Sequence, residues 1–185
     1  MSGKWHLAVD DTQTPDKRGF DRSFTMPEGG ASHFADRKPI HPGDLPEYLE
    51  DGTPVELPPD FYSSIGYSDK IIEYLDQAGS DQPFLAYLAY TAPHDPLQVP
   101  DEWRERYDGT YDAGPRAIKA ARLERQQELG LIPDGIAQWQ VPNFPPSLPL
   151  HKRPWEQRSD AQRKRAADTM EIYASMIELM DEQLA

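Results

Sequence analysis

The sequence predicts an α/β fold in which long proline-rich loops connect a modest set of helices and strands. Between about residues 63 and 77, apolar side chains recur at helical spacing, with Ser63 or Ser64 as the N-cap and Gly79 as the stop. The run 84–90 is almost continuously apolar, which is typical of a parallel strand covered on both faces. A helix followed by a strand and a polar turn indicates the α/β class.

The loop content follows from the composition and from the first third of the chain. Only 37% of the 185 residues are hydrophobic, and 19 are proline. Residues 8–59 show little periodicity and contain repeated turn formers, so we expect loops with about two short strands. The first strand is predicted to end near Val9, and a hairpin is predicted around Val55.

The second half is predicted to be mainly helical. A short amphipathic helix over 101–107 is closed by Gly109, and Pro115 starts a further helix that runs to Gly130. Residues 132–154 are dense in proline and are expected to form a long surface arm or a short interaction segment. The basic face of the helix after Pro115 is interpreted as solvated rather than as a binding patch. Its members are Lys119, Arg122 and Arg125.

The last element is the clearest helix in the sequence. Ser159 and Gln162 form a capping box at its start. An apolar stripe then repeats at alternating steps of four and three residues, and we expect it to stay uncovered in this chain. The stripe consists of Ala166, Met170, Tyr173, Ile177, Met180 and Leu184.

Composition excludes several classes of function. The net charge of −13 argues against a general nucleic-acid binder, because the chain would repel polyanions. Without cysteine there is no disulfide, thiol nucleophile or cysteine-ligated zinc. No apolar run approaches the roughly 20 residues of a membrane span, so no membrane partner is expected. The absence of cysteine does not fix the compartment.

A donor pair lies at the start of the chain, in Gly3-Lys4-Trp5-His6-Leu7. If this run is extended, Lys4 and His6 project to the same side while Trp5 points to the other. An ammonium and an imidazole together can hold an anion and carry a proton. The alternative is a partly buried strand end without a chemical role.

His94 lies in the turn that follows the predicted strand. Ligands of open α/β sheets bind beyond the carboxyl ends of the strands, so this turn is where a catalytic loop residue is expected. Pro93 and Pro96 flank His94 and Asp95 and stiffen the backbone. A lone loop histidine is otherwise structural or solvated.

Two further groups have simpler interpretations. His33 either lines a pocket or packs within its loop, and packing is favoured. Asp10 and Asp11 are carboxylates that a hard cation would accept, but nothing nearby completes a cluster, so a solvated turn is favoured.

Several segments resemble bacterial arylsulfatases of the sulfatase family, in the alkaline-phosphatase-like superfamily. The resemblance rests on Gly3–Leu7, on Ala92-Pro93-His94-Asp95-Pro96-Leu97, and on three further runs, and it covers nearly the whole chain. The other runs are 13–24, 61–64 and 170–174. Ala8 departs from the family pattern, which has glycine at that position.

The resemblance implies roles for three residues. Lys4 would bind a sulfuryl oxygen and the nucleophile region, His6 would hydrogen-bond the nucleophile and assist its turnover, and His94 would contact the sulfate ester. The substrate would be a small-molecule sulfate monoester, hydrolysed to an alcohol or phenol and sulfate.

The family also uses a formylglycine nucleophile and a calcium ion, and neither is expected from this chain alone. Ser147-Leu148-Pro149-Leu150 lacks the arginine of the formylglycine motif, and the family's metal ligands are expected outside these residues. Residues 1–185 are therefore expected to be an incomplete catalytic domain, a central segment that is inactive alone. The alternatives are a phosphonate or phosphate ester hydrolase of the same superfamily and a non-catalytic truncated binding protein.

Overall fold

The computed structural model describes residues 1–8, 10–43, 45–79, 83–133, 135 and 154–185. These residues form two compact units. The first contains Met1–Trp103 and Tyr173–Ala185, and the second contains Arg104–Ile172. Most of the arm predicted over 132–154 lies outside the described residues, as does the run 147–150. None of the described helices is long and apolar enough to cross a membrane.

The first unit is built on one mixed five-stranded sheet. Its strands are β1 Ser2–Lys4, β2 Phe24–Met26, β3 Tyr48–Glu50, β4 Thr53–Val55 and β5 Leu88–Ala89. They lie in the order β4-β3-β2-β1-β5. β1 runs parallel to both β2 and β5, whereas the β2–β3 and β3–β4 pairs are antiparallel. The predicted α/β class with parallel strands is confirmed.

The strands of the N-terminal half agree only partly with the sequence prediction. The hairpin around Val55 is confirmed as β3 and β4, joined by the two-residue turn Asp51–Gly52. The first strand ends at Lys4, so its predicted end near Val9 is wrong. β2 was not predicted, because its three residues, Phe24-Thr25-Met26, are too few for their alternation to stand out in the sequence.

The helix α1, Ser63–Gln77, agrees with the predicted range. Its N-cap is Tyr62, which makes no side-chain cap hydrogen bond, so the predicted serine cap is wrong. Ser63 instead lies in the first turn, where its hydroxyl contacts a buried histidine. The buried stripe of α1 includes Tyr67, Ile71 and Tyr74.

An aromatic cluster forms the core between the sheet and α1. Phe24, Tyr48, Phe61 and Tyr67 are buried, and their ring centroids lie 5.3 to 6.3 Å apart, mostly edge to face or tilted. The Tyr48 and Tyr67 hydroxyls hydrogen-bond each other at 3.2 Å, which satisfies both polar tips inside the core. This core supports the sheet from which the candidate site projects.

The apolar run 84–90 is not the doubly covered strand that the sequence predicts. Only Leu88 and Ala89 are in strand conformation, and β5 lies at the edge of the sheet with β1 as its single neighbour. Phe84 and Leu85 are 69% and 82% exposed. The end of the run is better covered, since Leu88 and Tyr90 pack against the aromatic core and the Tyr87 ring stacks on Phe20 at 6.4 Å between centroids.

Between β5 and the end of the chain, the two long helices agree with the sequence prediction, whereas the short helix predicted before them does not. A 3₁₀ turn at Asp101–Trp103, followed by further turns, replaces the predicted helix over 101–107. The helix α2, Gly114–Glu128, begins next to Pro115 as predicted. A second 3₁₀ turn at Trp155–Gln157 precedes the last helix.

The helix α3, Asp160–Glu182, starts with the predicted capping box. The Ser159 amide donates to Gln162 Oε1 at 3.0 Å, and the Gln162 amide donates to Ser159 Oγ at 3.3 Å. The expectation that its apolar stripe stays uncovered holds only in part. Met170, Ile177 and Leu184 are exposed, whereas Ala166, Tyr173 and Met180 are half-buried. The buried side of α3 is a different face, which includes Ala167, Ala174, Ser175 and Leu179.

Candidate functional site at the carboxyl ends of the parallel strands

The candidate site lies where three neighbouring parallel strands end. Lys4 is the last residue of β1, the pair Gly29–Gly30 follows β2, and His94 follows β5. Because β1, β2 and β5 run in the same direction, their carboxyl ends meet at one edge of the sheet. This is the edge at which ligands of α/β proteins bind.

Gly3 allows β1 and β5 to come together at this edge. Its φ angle is +122°, and a Cβ atom at this position would lie 2.0 Å from the Ala89 carbonyl oxygen. A side chain therefore has no room between the two strands. Gly3 determines the spacing between Lys4 on one strand and the His94 loop on the other.

The chain leaves β1 directly after Lys4, and His6 has a left-handed backbone with φ +51°. The expectation that Lys4 and His6 alternate along one extended strand is therefore wrong. The Trp5 and His6 amides donate to the Met26 and Pro27 carbonyls at 2.9 and 3.0 Å, which holds the turn beside β2. A non-glycine residue in this conformation costs on the order of 1 kcal/mol, and such residues concentrate at functional sites.

Trp5 anchors this turn to the loop that follows it. Its indole Nε1 donates to the Gln13 carbonyl at 2.8 Å, and its ring meets Phe20 edge to face at 6.2 Å between centroids. Trp5 is half-buried, whereas His6 is exposed. The anchor leaves the imidazole of His6 at the surface of the site.

His6 and His94 both lie against the glycine turn, Gly29–Gly30. A Cβ atom at Gly29 would lie 2.8 Å from His6 Nε2, and one at Gly30 would lie 3.7 Å from His94 Nδ1. The two imidazoles, which are 88 positions apart in sequence, therefore flank the same two residues. The close contact with His6 explains why no side chain fits at Gly29 unless the imidazole shifts.

His94 presents its Nε2 atom for chemistry. Its Nδ1 lies 2.8 Å from the Asp95 carbonyl oxygen, which can only accept, so Nδ1 carries the proton. The neutral ring then has a free lone pair on Nε2, and the protonated ring has a donor there. The peptide bonds before Pro93 and Pro96 are cis, and the His94 amide donates to the Thr91 carbonyl at 3.0 Å.

His33 supports the His94 loop from inside the protein. Its Nε2 donates to the His94 carbonyl oxygen at 3.1 Å, and its Nδ1 accepts from the Ser63 hydroxyl at 2.7 Å. His33 is 1% exposed, and burial lowers the pKa of its imidazole. The favoured interpretation of a loop-packing histidine is confirmed, and the residue it packs against is His94.

The buried imidazole predicts a pH dependence of stability. The pKa of His33 is depressed in the folded state, so its contribution is complete above the unfolded value of about 6.5 and declines as pH falls toward the folded value. We expect His33→Gln to lower the free energy of unfolding by about 1 to 3 kcal/mol at neutral pH, because Ser63 and the His94 carbonyl lose their partner.

Urea unfolding at pH values of about 7.5 and 5 measures both effects. The free energy of unfolding of the wild type should fall from the higher to the lower pH, and that of His33→Gln should fall less. The exposed His41 offers a matched control, and His41→Gln should keep the wild-type dependence. A dependence in His33→Gln equal to that of the wild type would contradict this role for His33.

Lys4 is the cationic side chain at the end of β1. Its side chain is half-buried at the end of β1, and among the described residues it forms no ion pair. Elsewhere in the first unit the basic side chains are largely paired, as in the contact of Lys70 Nζ with Glu50 Oε1 at 2.9 Å. An unpaired, half-buried ammonium is suited to an external anion.

The acidic residues after this turn do not form a metal centre. Asp10 and Asp11 are exposed in a turn, and Asp10 Oδ1 accepts from the Thr12 amide and hydroxyl, which lowers the pKa of that carboxyl. In the described ranges, no three His, Asp or Glu side chains converge in a way that could hold a metal ion. The described residues therefore do not fit the calcium that the resemblance implies.

Comparison with known proteins decides the family. The profile described as Sulfatase matches residues 1–185. The chain belongs to the sulfatase family. It is 40% identical to an arylsulfatase of Klebsiella aerogenes over 186 aligned residues, which are the whole chain and 38% of that protein.

Two other relatives extend the similarity of this sulfatase chain to eukaryotes. An uncharacterized sulfatase of Schizosaccharomyces pombe is 38% identical over 98% of the chain and 33% of its own length. Mouse arylsulfatase J is 33% identical over 65% of the chain and 21% of its own length. The sulfatase chain thus spans between about a fifth and two fifths of the curated relatives it matches.

Solved structures support the fold. The crystal structures of Ps i-CgsB, alone and in complex with k-i-k-neocarrahexaose, match 98% of the sulfatase chain and 33% of their own chain. The TM-score is 0.51 and the sequence identity is 19%. At this identity the likeness extends to the fold alone.

Sequence reasoning missed three residues that shape the site of this sulfatase. Gly29 gives room to His6, Ser63 donates to His33, and Gln98 Oε1 accepts from the His33 amide at 2.9 Å. Gly29 carried a usable signal, since two consecutive glycines after a buried strand indicate a close approach. Ser63 and Gln98 carried no such sequence signal, because their partner, His33, lies 30 and 65 positions away in the sequence.

Proposed function

We propose that this chain is the sulfuryl-binding part of the catalytic domain of an arylsulfatase-type sulfuric ester hydrolase. The observation that carries the proposal is the joint placement of His6 and His94 on the glycine turn, with Lys4 at the end of the adjacent strand. Two imidazoles and an ammonium at one sheet edge form a site for a compact oxyanion. The reaction would convert a sulfate monoester into an alcohol or phenol and sulfate.

Each of the three residues has a role that suits its surroundings. The Lys4 ammonium would bind a sulfuryl oxygen and neutralise charge that builds up there. His94 would contact the sulfate ester through Nε2, since its Nδ1 proton is held by the Asp95 carbonyl. His6 would hydrogen-bond the nucleophile and help to turn it over as a proton carrier.

The complete enzyme would need two more groups, a formylglycine nucleophile and a calcium ion. When bound, they would supply the attacking oxygen and a divalent charge at the sulfuryl group. The described residues do not gather a calcium site, and the run 147–150 lacks the arginine of the formylglycine motif, so both groups would be supplied by other residues of the complete enzyme. The 185-residue chain alone is accordingly expected to show no more hydrolysis than a variant that lacks Lys4 and His94.

The experiment that tests this proposal compares three matched esters, a sulfate, a phosphate and a phosphonate. The complete protein that carries these residues should hydrolyse para-nitrophenyl sulfate with a higher kcat/KM than para-nitrophenyl phosphate. A preference for the phosphate or for a phosphonate ester would instead assign the protein to another hydrolase class of the same superfamily. No turnover of any of the three would favour a non-catalytic binding protein.

A further inference from the structure

A groove lies within the second unit, between α2 and the first half of α3. Its volume is about 910 Å³, which is in the range of pockets for small organic ligands. Apolar side chains from both helices line it, including Ile118, Leu123, Ala166 and Met170. It shares no residue with the site around Lys4, His6 and His94.

The charge along this groove is opposite to that of the whole chain. Four cationic side chains line it, and none of its described lining residues is Asp or Glu, although the chain carries a net charge of −13. The cations are Lys119, Arg122, Arg158 and Arg165. Lys119 and Arg158 also interact with other parts of the chain, so Arg122 and Arg165 are the cations that carry the argument.

An aromatic wall of the groove is fixed in place. A Cβ atom at Gly114 would lie 2.6 Å from Trp155 Nε1, so the indole packs directly on the backbone at the start of α2. The Arg158 guanidinium lies 5.9 Å from the centroid of the Trp155 ring. A flat apolar ligand could stack on such a surface without first ordering it.

We propose that the α2–α3 groove binds a small amphipathic anion, with an aromatic or other apolar body and a sulfonate, sulfate or carboxylate head. The body would lie on Trp155 and the apolar side chains, and the head would meet Arg122 and Arg165. The basic face of α2 was interpreted from sequence as merely solvated. In the structure, Lys119 and Arg122 line the groove, whereas Arg125 does not and instead pairs with Glu128 at 3.0 Å.

Two fluorescent probes of similar shape test the proposal on the 185-residue chain. Anilinonaphthalene sulfonate is anionic, and N-phenylnaphthylamine is its neutral counterpart. The sulfonate should bind saturably, and the double substitution Arg122→Gln with Arg165→Gln should weaken its affinity about tenfold, with about a twofold change or less for the neutral probe. Arg125→Gln, on the same helix but outside the groove, should leave both affinities unchanged.

The double lysine variant, Arg122→Lys with Arg165→Lys, keeps both positive charges. It therefore separates the effect of lost charge from the effect of a folding defect. It should retain sulfonate affinity within about threefold, and added salt should weaken the sulfonate but not the neutral probe. Two results would overturn the proposal. One is an equal loss of affinity for the two probes in the double glutamine variant, and the other is a sulfonate affinity that neither this variant nor added salt changes. The absence of saturable sulfonate binding would also overturn the proposal.

Discussion

Replacing His94 by alanine is expected to lower kcat for an aryl sulfate by about two to four orders of magnitude in the complete protein. The imidazole is exposed at the carboxyl end of β5, and its Nδ1 proton is held by the Asp95 carbonyl, which leaves Nε2 for the ester. The loop should survive the substitution, because His33 contacts the His94 backbone carbonyl rather than the side chain. Steady-state kinetics on para-nitrophenyl sulfate measure the effect.

His41→Ala is the matched control for His94→Ala. His41 is exposed and lies beside a proline, as His94 does, but it does not closely follow one of the three parallel strands whose ends form the candidate site. It should keep wild-type kinetics and the wild-type melting temperature. If His94→Ala retained kcat within about threefold of His41→Ala, His94 would have no part in the reaction.

Replacing Gly3 by alanine is expected to destabilise the first unit by about 3 kcal/mol or more. The added Cβ would lie 2.0 Å from the Ala89 carbonyl, and the φ angle of +122° is one that residues with a side chain rarely adopt. β1 and β5 would have to separate, which also moves Lys4 away from the His94 loop. Urea unfolding measures the loss in free energy.

Gly43→Ala provides the comparison for this loss. Gly43 has open space around it and no positive φ, so alanine there should change the free energy of unfolding by about 0.5 kcal/mol or less. A Gly3→Ala protein as stable as Gly43→Ala would mean that β1 and β5 do not approach each other as closely as described.

The helices were predictable because their signals are local. The range of α1, the proline at the start of α2 and the capping box of α3 are each contained within a few residues, and all three are confirmed. The prediction for the run 84–90 was wrong because a continuous apolar run indicates a buried segment, but it does not show which other segments would bury it. Within the described residues, β5 finds a partner on one edge only.

The sequence pointed to Lys4, His6 and His94 as candidates, but it did not show how the fold arranges them. Placing His94 after a strand required only the α/β pattern, and the Lys4–His6 segment drew attention by its residue types and its order. The turn at His6 and the contacts of His33 depend on β2, Ser63 and the His94 carbonyl, which are distant in sequence. Such contacts leave no periodic signal in the chain.

The role of Lys4 is tested by kcat/KM for para-nitrophenyl sulfate in the complete protein. Lys4→Ala should lower it by about two to three orders of magnitude, since it removes the cation that we propose to bind the sulfuryl group. Lys38→Ala, which removes an exposed lysine paired with Asp36, should leave it unchanged. Equal kcat/KM values for the two variants would contradict the assignment of this strand edge as the sulfuryl-binding site.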